Sequence, residues 1–154
     1  MRVRANEGDK VKLRTAKAIT TVGIVGCGLI GIGWISIFLS RGYRVIAADL
    51  NPDVEPAVRA EVASMWADLE GLGLPEGANS DNLEFTSSFE DLCGQAHFIQ
   101  ENVPDTVDLK QDLLHRLDRL APPDVLISSS TSGITKSVLE KKCTHKDRII
   151  VGHP

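Results

Sequence analysis

The chain has 154 residues, of which 42% are hydrophobic and 25% are charged, and its formal net charge is −4. This length and composition are typical of one globular domain with a sizeable core. Acidic and basic side chains are interspersed, and the charge is slightly negative, which argues against a nucleic-acid partner.

The cysteines indicate the redox environment. There are three of them, Cys27, Cys93 and Cys143, widely spaced and without a C-x-x-C pair. An odd number at such spacing fits reduced thiols better than a disulfide framework or a zinc site. We therefore predict a cytoplasmic protein with no bound metal and no catalytic cysteine.

The chain begins with a polar, charged segment, Met1 to Ala18, that has no clear periodicity. It offers too little apolar surface to offset the entropy of ordering it. We expect a flexible or loosely attached leader over residues 1–18, followed by one domain over residues 19–154.

A β-branched run, Thr21 to Val25, is followed by three glycines with the spacing G-x-G-x-x-G, and then by helical apolar spacing from about Leu29. A second apolar run, Tyr43 to Ala48, ends on Asp49, eighteen positions beyond the last of these glycines. Strand, glycine turn, helix, strand and terminal acid in this order form the dinucleotide-binding fingerprint.

Each part of the glycine turn has a physical role. Gly26 lets the chain turn sharply, Gly28 lets the backbone approach a pyrophosphate, and Gly31 lets helix and strand pack closely. The phosphates are expected on the free N–H groups at the start of the helix, near Leu29 and Ile30. The alternative is a glycine-rich turn in some other α/β protein, which the flanking strands and the acid disfavour.

Asp49 predicts which dinucleotide is bound. A carboxylate at the end of the second strand accepts hydrogen bonds from the ribose hydroxyls and repels a 2′-phosphate. No Arg or Lys occurs in residues 50–58 to favour that phosphate. The predicted cofactor is therefore NAD.

The same segment has a second interpretation, because residues 22–39 carry no charge over eighteen positions and follow a basic stretch. That length is near the lower limit for a membrane span. Five glycines within it would weaken a continuous helix, but they fit a buried strand followed by a close-packed helix. We therefore expect no membrane partner.

The remaining chain alternates helices and strands. The predicted elements are a helix over 53–69, a strand over 83–86, a short helix through Leu92 capped by Ser87 or Ser88, a strand over 97–100, a helix capped by Asp105 or Thr106 and ended by Pro122 and Pro123, a strand over 125–128, a helix near 135–142 and a strand over 149–151. This alternation predicts an α/β fold of the Rossmann type, a doubly wound, mostly parallel sheet with helices on both faces. Ligands of such folds bind outside the carboxyl ends of the strands.

Polar residues follow several of these strands. His153 comes directly after the last one, and an imidazole with a pKa near neutrality can take the proton of an alcohol as hydride leaves. Ser132 is either a donor to the substrate oxygen or an ordinary loop residue. Glu101 could equally be an acidic residue of a turn, and Lys110 could equally be a solvated residue on the surface of a helix.

Four motifs in register make the pattern more specific: VGIVGCGLIGIGW, FIQENVPDTVDLK, ISSSTSG and VGHP. Together they resemble the NAD-binding domain of the 3-hydroxyacyl-CoA dehydrogenase family over residues 21–154. The resemblance implies that Ser132 and His153 contact the reacting oxygen. It also implies that Asp105 and Lys110 lie near the nicotinamide ribose, and Ser130 near the nicotinamide end of NAD.

Within that family the chain is most similar to the branch that contains L-carnitine dehydrogenase and lambda-crystallin, an L-gulonate 3-dehydrogenase. Ser130 stands where acyl-CoA enzymes usually have asparagine, Pro154 stands where they have phenylalanine, and Trp34 follows the glycine loop. Only one helix separates the second and third strands. The resemblance implies a small free hydroxy acid, L-carnitine first, as substrate. L-gulonate, a 3-hydroxyacyl-CoA and a non-catalytic stand-alone NAD-binding module are the alternatives.

The resemblance also implies a helical second domain beyond Pro154. In the family that domain supplies a glutamate that orients the histidine, the rest of the substrate pocket and the dimer contacts. We therefore expect the full-length parent to be a homodimer, and this chain to bind NAD(H) with little or no turnover.

Overall fold

The computed structural model describes residues 12–154, so the first eleven residues of the predicted leader lie outside the described residues. Six strands form one sheet, in the order β3-β2-β1-β4-β5-β6. The strands are β1 (Thr21–Val25), β2 (Arg44–Ala48), β3 (Leu83–Phe85), β4 (Phe98–Glu101), β5 (Leu126–Ser129) and β6 (Ile149–Val151). The helices are α1 (Leu29–Ser40), α2 (Glu55–Leu72), α3 (Phe89–Gln95), α4 (Val107–Leu120) and α5 (Lys136–Leu139).

Every neighbouring pair of these strands is parallel, which confirms the predicted doubly wound α/β fold. The strand order reverses at β1, which pairs with β2 on one side and with β4 on the other. In open α/β sheets the ligand crevice lies at this reversal, outside the carboxyl ends of the strands. The loops after β1 and β4 therefore border the expected cofactor site.

The sheet separates two hydrophobic cores. Helices α1 and α2 cover one face, where Ile35 and Val58 pack with Val22 and Ile24 of β1. Helices α3, α4 and α5 cover the other face. Successive residues of a strand point to opposite faces, so Ile24 of β1 packs in one core and the next residue, Val25, packs in the other.

Two helices extend beyond their predicted ends. Helix α2 continues through Gly71 to Leu72, and Gly73, at φ +85°, ends it. Helix α3 likewise continues through Gly94 to Gln95. One glycine inside a helix costs only about 1 kcal/mol, which tertiary packing outweighs, whereas a positive φ stops the helix.

The caps were predicted with mixed success. Ser88 is the N-cap of α3, and its hydroxyl accepts a hydrogen bond from the Asp91 N–H at 3.0 Å. Thr106 is the N-cap residue of α4, but its side chain makes no capping hydrogen bond. Helix α4 buries one apolar face, which includes Leu113, Leu114 and Leu117.

Residues 12–18 form the described part of the predicted leader. A short 3-10 turn occupies Ala16–Ala18. The Arg14 N–H donates to the carbonyl of Asp124 at 3.1 Å, and the Arg14 guanidinium pairs with the Asp124 carboxylate at 2.7 Å. This stretch therefore contacts the turn before β5.

The long uncharged segment is divided between two elements, β1 and α1, with the glycine turn between them. Over residues 12–154, no helix combines the length and the apolar character needed to cross a membrane.

Candidate functional site

The glycine turn between β1 and α1 is held by close backbone contacts. Gly26 has φ +89°, a left-handed conformation that side chains rarely adopt. A Cβ on Gly31 would lie only 2.0 Å from the Gly26 carbonyl oxygen, so nothing larger than glycine fits there. A Cβ on Gly28 would meet nothing within 4 Å, which leaves open space beside the first turn of α1.

Asp49 connects the end of β2 to this turn. One carboxylate oxygen accepts a hydrogen bond from the Cys27 N–H at 2.7 Å, and the other accepts one from the Asn51 N–H at 2.9 Å. The side chain remains partly exposed, so lone pairs are free for a ligand. A cleft of about 240 Å³ adjoins it, lined also by Asn51, Pro52, Val54, Glu55, Phe85, Thr86 and Ser87.

Cys27 lies within the turn but is not a reactive thiol. Its side chain is buried, and burial raises its pKa to about 12, with a further contribution from the nearby Asp49 carboxylate. A thiol with that pKa stays neutral at physiological pH, so it is a poor nucleophile.

A second cleft, of about 250 Å³, lies where the first turn of α1 meets the segments after β4, β5 and β6. Its lining includes five of the predicted site residues: Ile30, Asp105, Ser130, Ser132 and His153. Asn102, Val103 and Pro104 complete it. The parallel sheet therefore brings together side chains that are more than 100 positions apart in the sequence.

Asp105 and Ser132 are neighbours in this cleft. One Asp105 carboxylate oxygen accepts from the Ser132 N–H at 3.3 Å and from the Ser132 hydroxyl at 3.4 Å. Partial desolvation raises the pKa of Asp105, but hydrogen bonds from Ser132 and Thr131 and the Lys110 charge outweigh it, so the net pKa is lowered. Asp105 is therefore an ionised carboxylate at neutral pH.

Lys110 lies behind the cleft and does not line it. Its side chain is 1% exposed, and its ammonium group pairs with Glu101 at 2.8 Å and with Asp105 at 3.4 Å. The interpretation of Lys110 as a solvated helix residue is therefore wrong. The interpretation of Glu101 as a turn acid is also wrong, because Glu101 is the fully buried last residue of β4. The Glu101 carboxylate also accepts from the Val103 N–H and the Ser129 hydroxyl.

Ser130 is engaged within the protein. Its hydroxyl accepts from the Trp34 indole at 3.0 Å and from the Gln100 amide at 2.7 Å, and donates to the Asn102 side chain at 2.7 Å. A hydroxyl has one proton and two lone pairs, so this set uses all of them.

His153 is exposed at the cleft, where its Nδ1 lies 2.8 Å from the Pro154 carbonyl oxygen. The other three histidines lie elsewhere. His97 contacts Thr20, His115 contacts the Lys142 carbonyl, and His145 contacts Asp118. None of the three lines this cleft.

Gln100 and Asn102 belong to the hydrogen-bond network of the site, although no role is predicted for them from the sequence. A signal was available, because Gln100 and Glu101 are adjacent polar residues at the end of a strand that pairs on both sides. A buried polar side chain requires hydrogen-bonding partners, so polar residues in a central strand indicate a network beneath a site.

The glycine turn, the Asp49 carboxylate and the cleft together suit a bound dinucleotide. The open space at Gly28 and the start of α1 suit a pyrophosphate, and the Asp49 carboxylate suits ribose hydroxyls. The fold and this site are those of the dinucleotide-binding domain of a dehydrogenase.

Comparison with known proteins specifies the family. The 3-hydroxyacyl-CoA dehydrogenase, NAD binding domain family matches residues 21–154. The chain belongs to this family, and it is an NAD-binding domain, as predicted.

Curated relatives and solved structures agree with this. L-carnitine dehydrogenase of Streptomyces coelicolor is 46% identical over 136 residues, which cover 88% of this chain and 43% of that protein. L-carnitine dehydrogenase of Pseudomonas aeruginosa is 46% identical over 136 residues, 88% of this chain and 42% of that protein. The crystal structure of an NAD+-dependent dismutase, 5-formyl-3-hydroxy-2-methylpyridine 4-carboxylic acid 5-dehydrogenase, superimposes with a TM-score of 0.80 at 28% identity, over 88% of this chain and 44% of that one. The chain thus spans less than half the length of these relatives.

Proposed function

We propose that this chain is the cofactor domain of an NAD-dependent dehydrogenase that oxidises the 3-hydroxyl of a small hydroxy acid, with L-carnitine, converted to 3-dehydrocarnitine, as the substrate. The observation that carries the proposal is the cleft that His153, Ser132 and Asp105 line together with Ile30, in the first turn of α1. The substrate is supported by 46% identity to L-carnitine dehydrogenase of Streptomyces coelicolor.

His153 is proposed as the general base. It is exposed in the cleft, so its imidazole can receive the hydroxyl proton of a bound substrate. NAD, when bound, supplies the acceptor for the hydride. Proton removal by His153 leaves negative charge on the substrate oxygen, and a nearby donor would stabilise that charge.

Ser132 is the proposed donor. Its hydroxyl contacts the Asp105 carboxylate at 3.4 Å, a long hydrogen bond that is easily exchanged for a better acceptor. Asp105 would hold Ser132 in place through the backbone N–H as well, and its other oxygen lies 3.4 Å from the Lys110 ammonium. Being ionised, Asp105 can also accept a hydrogen bond from a nicotinamide ribose hydroxyl.

The proposed roles of the other residues follow the same geometry. Gly26, Gly28 and Gly31 would shape the turn, and the N–H groups near Leu29 and Ile30 would bind the pyrophosphate. Lys110 would act through Asp105, since it is buried behind the cleft. Ser130 would shape the nicotinamide end through its neighbours, because its hydroxyl is fully engaged.

We further propose a cytoplasmic location, a homodimeric full-length protein and a domain that begins near residue 19 after a leader. Three unpaired, buried thiols support the first. Resemblance to the family supports the second, and β1 beginning at Thr21 supports the third.

Replacing His153 with alanine in the full-length protein tests the base. We expect kcat for L-carnitine oxidation to fall by about 10²–10⁴-fold, the typical contribution of general-base catalysis. The dissociation constant of NADH should stay within about twofold of wild type, because the groups proposed to bind the pyrophosphate and the ribose, at the start of α1 and at Asp49, are unchanged. Initial rates on L-carnitine, L-gulonate and a 3-hydroxyacyl-CoA identify the substrate. Retained activity in the variant would reject His153 as the base.

Asp49→Ala tests the cofactor specificity. We expect NADH to bind about 10–100-fold more weakly, because a charge-assisted hydrogen bond contributes about 1.5–3 kcal/mol. The preference for NADH over NADPH should fall as the carboxylate that repels the 2′-phosphate disappears. Calorimetric titration with both nucleotides measures this. Asp53→Ala is the matched control, since it removes the same charge from a side chain outside the cleft and should leave both affinities unchanged.

A further inference from the structure

Four polar side chains meet beneath the nicotinamide end of the proposed site. The Ser130 hydroxyl, just after β5, hydrogen-bonds to the side chains of Trp34 in α1, Gln100 in β4 and Asn102 just after β4, and we call these four residues the Ser130 cluster. Gln100 is 1% exposed and Ser130 is 9% exposed. Their hydrogen bonds are therefore protected from water and strong.

The Ser130 hydroxyl fixes the orientation of Gln100. It accepts one amide hydrogen of Gln100 at 2.7 Å, while the Trp34 indole occupies its second lone pair at 3.0 Å. The Ser130 proton is directed to Asn102. With every position taken, the hydroxyl cannot rotate, and the Gln100 amide is held in one orientation.

The second amide hydrogen of Gln100 reaches the end of another strand. It donates to the carbonyl oxygen of Gly152 at 3.1 Å. The Gly152 N–H donates to the Ser129 carbonyl at 2.9 Å. Gly152 also has no room for a side chain, since a Cβ would lie 2.6 Å from the Ser128 hydroxyl oxygen. The residue directly before His153 is thus held on three sides.

We propose that Gln100 is a positioning residue for His153. Trp34 and Ser130 hold the Gln100 amide, the amide holds the backbone at Gly152, and this backbone determines where the His153 side chain lies. The inference rests on the proposed function, because it takes His153 as the base. It gives Trp34 and Ser130, two residues that separate this sequence from acyl-CoA enzymes, one shared role.

The test replaces Gln100 with methionine, which keeps the length of the side chain and removes both donors. In the full-length protein we expect kcat to fall at least about tenfold, since small misplacements of catalytic groups carry large costs. KM for NAD and the dissociation constant of NADH should stay within about twofold. Amide hydrogen exchange at Gly152 should accelerate at least about tenfold as its anchor is lost.

Gln111→Met is the matched control. Gln111 is also a buried glutamine whose amide donates to a backbone carbonyl, that of Val138 at 2.7 Å, but it lies on α4 away from the cleft. The Gln111→Met substitution should lower the free energy of unfolding by about as much as Gln100→Met does. It should leave kcat and the amide exchange of Gly152 unchanged. If Gln100→Met does not fold, Gln100→Asn keeps the amide but is too short to span Ser130 and Gly152, and the same outcomes are expected.

The outcomes separate this proposal from the proposed function. Wild-type kcat in Gln100→Met, with His153→Ala inactive, would overturn the positioning role alone. Unchanged exchange at Gly152 in Gln100→Met would overturn it whatever the substrate is. Activity retained in His153→Ala would reject the base itself, and with it the positioning role, even where the exchange at Gly152 responds.

Discussion

Gly31→Ala is expected to destabilise the domain by about 3–5 kcal/mol and to abolish measurable NADH binding, because it forces a methyl group into backbone. The added Cβ would lie 2.0 Å from the Gly26 oxygen and 3.0 Å from the Gly26 carbonyl carbon. A flexible side chain could move away, but these atoms belong to a turn that Gly26 already holds at positive φ. Relief therefore requires α1 to separate from β1, which would displace the N–H groups proposed to bind the pyrophosphate.

Gly33→Ala is the control for this variant. It makes the same change two residues further along α1, where a Cβ would meet nothing within 4 Å. We expect a gain of about 0.5–1 kcal/mol, because alanine favours the helix and restricts the unfolded chain. Urea denaturation measures both variants, and NADH titration measures binding. Equal stability of the two variants would show that the close contact at Gly31 is not needed.

Lys110→Met is expected to lower the free energy of unfolding by about 3–5 kcal/mol, since it leaves a buried carboxylate without its counter-ion. Glu101 is 0% exposed and would keep only the Val103 N–H and the Ser129 hydroxyl as donors. Lys136→Met is the control. Lys136 also pairs with a glutamate, Glu140, but its side chain is 44% exposed, so its loss should cost no more than about 1 kcal/mol.

The double variant Glu101→Gln, Lys110→Met measures the interaction between the two charges separately from the effect of losing either side chain. Removing both charges restores neutrality in the buried site, so the double variant should be more stable than Lys110→Met alone. A double-mutant cycle by urea denaturation should give a coupling energy of about 2–3 kcal/mol. Additive effects of the two substitutions would contradict a coupled buried pair.

Much of the fold could be predicted from local sequence. Strands β1 and β6 have their predicted bounds, and α1 begins at the predicted Leu29. These elements are governed by apolar periodicity and by glycines at turns, which act over a few residues. The ends of α2 and α3 could not be predicted, because packing carried both helices past a glycine.

The alternating α/β fold, the glycine turn, the acidic Asp49 directly after β2 and the family resemblance can all be recognised in the amino-acid sequence. Each of these is a local pattern of residue types at fixed spacing, so it can be recognised without the three-dimensional structure. Which polar residues are solvated and which are buried follows from how the helices pack on the sheet. Lys110 looks like a surface residue in the sequence, but it is buried against Glu101 because α4 packs on β4 at that point. Ser130 looks free to contact a ligand, but Trp34 and Gln100 already occupy its hydroxyl. Burial and hydrogen-bonding partners depend on residues far apart in the chain, and the parallel sheet is what brings them together.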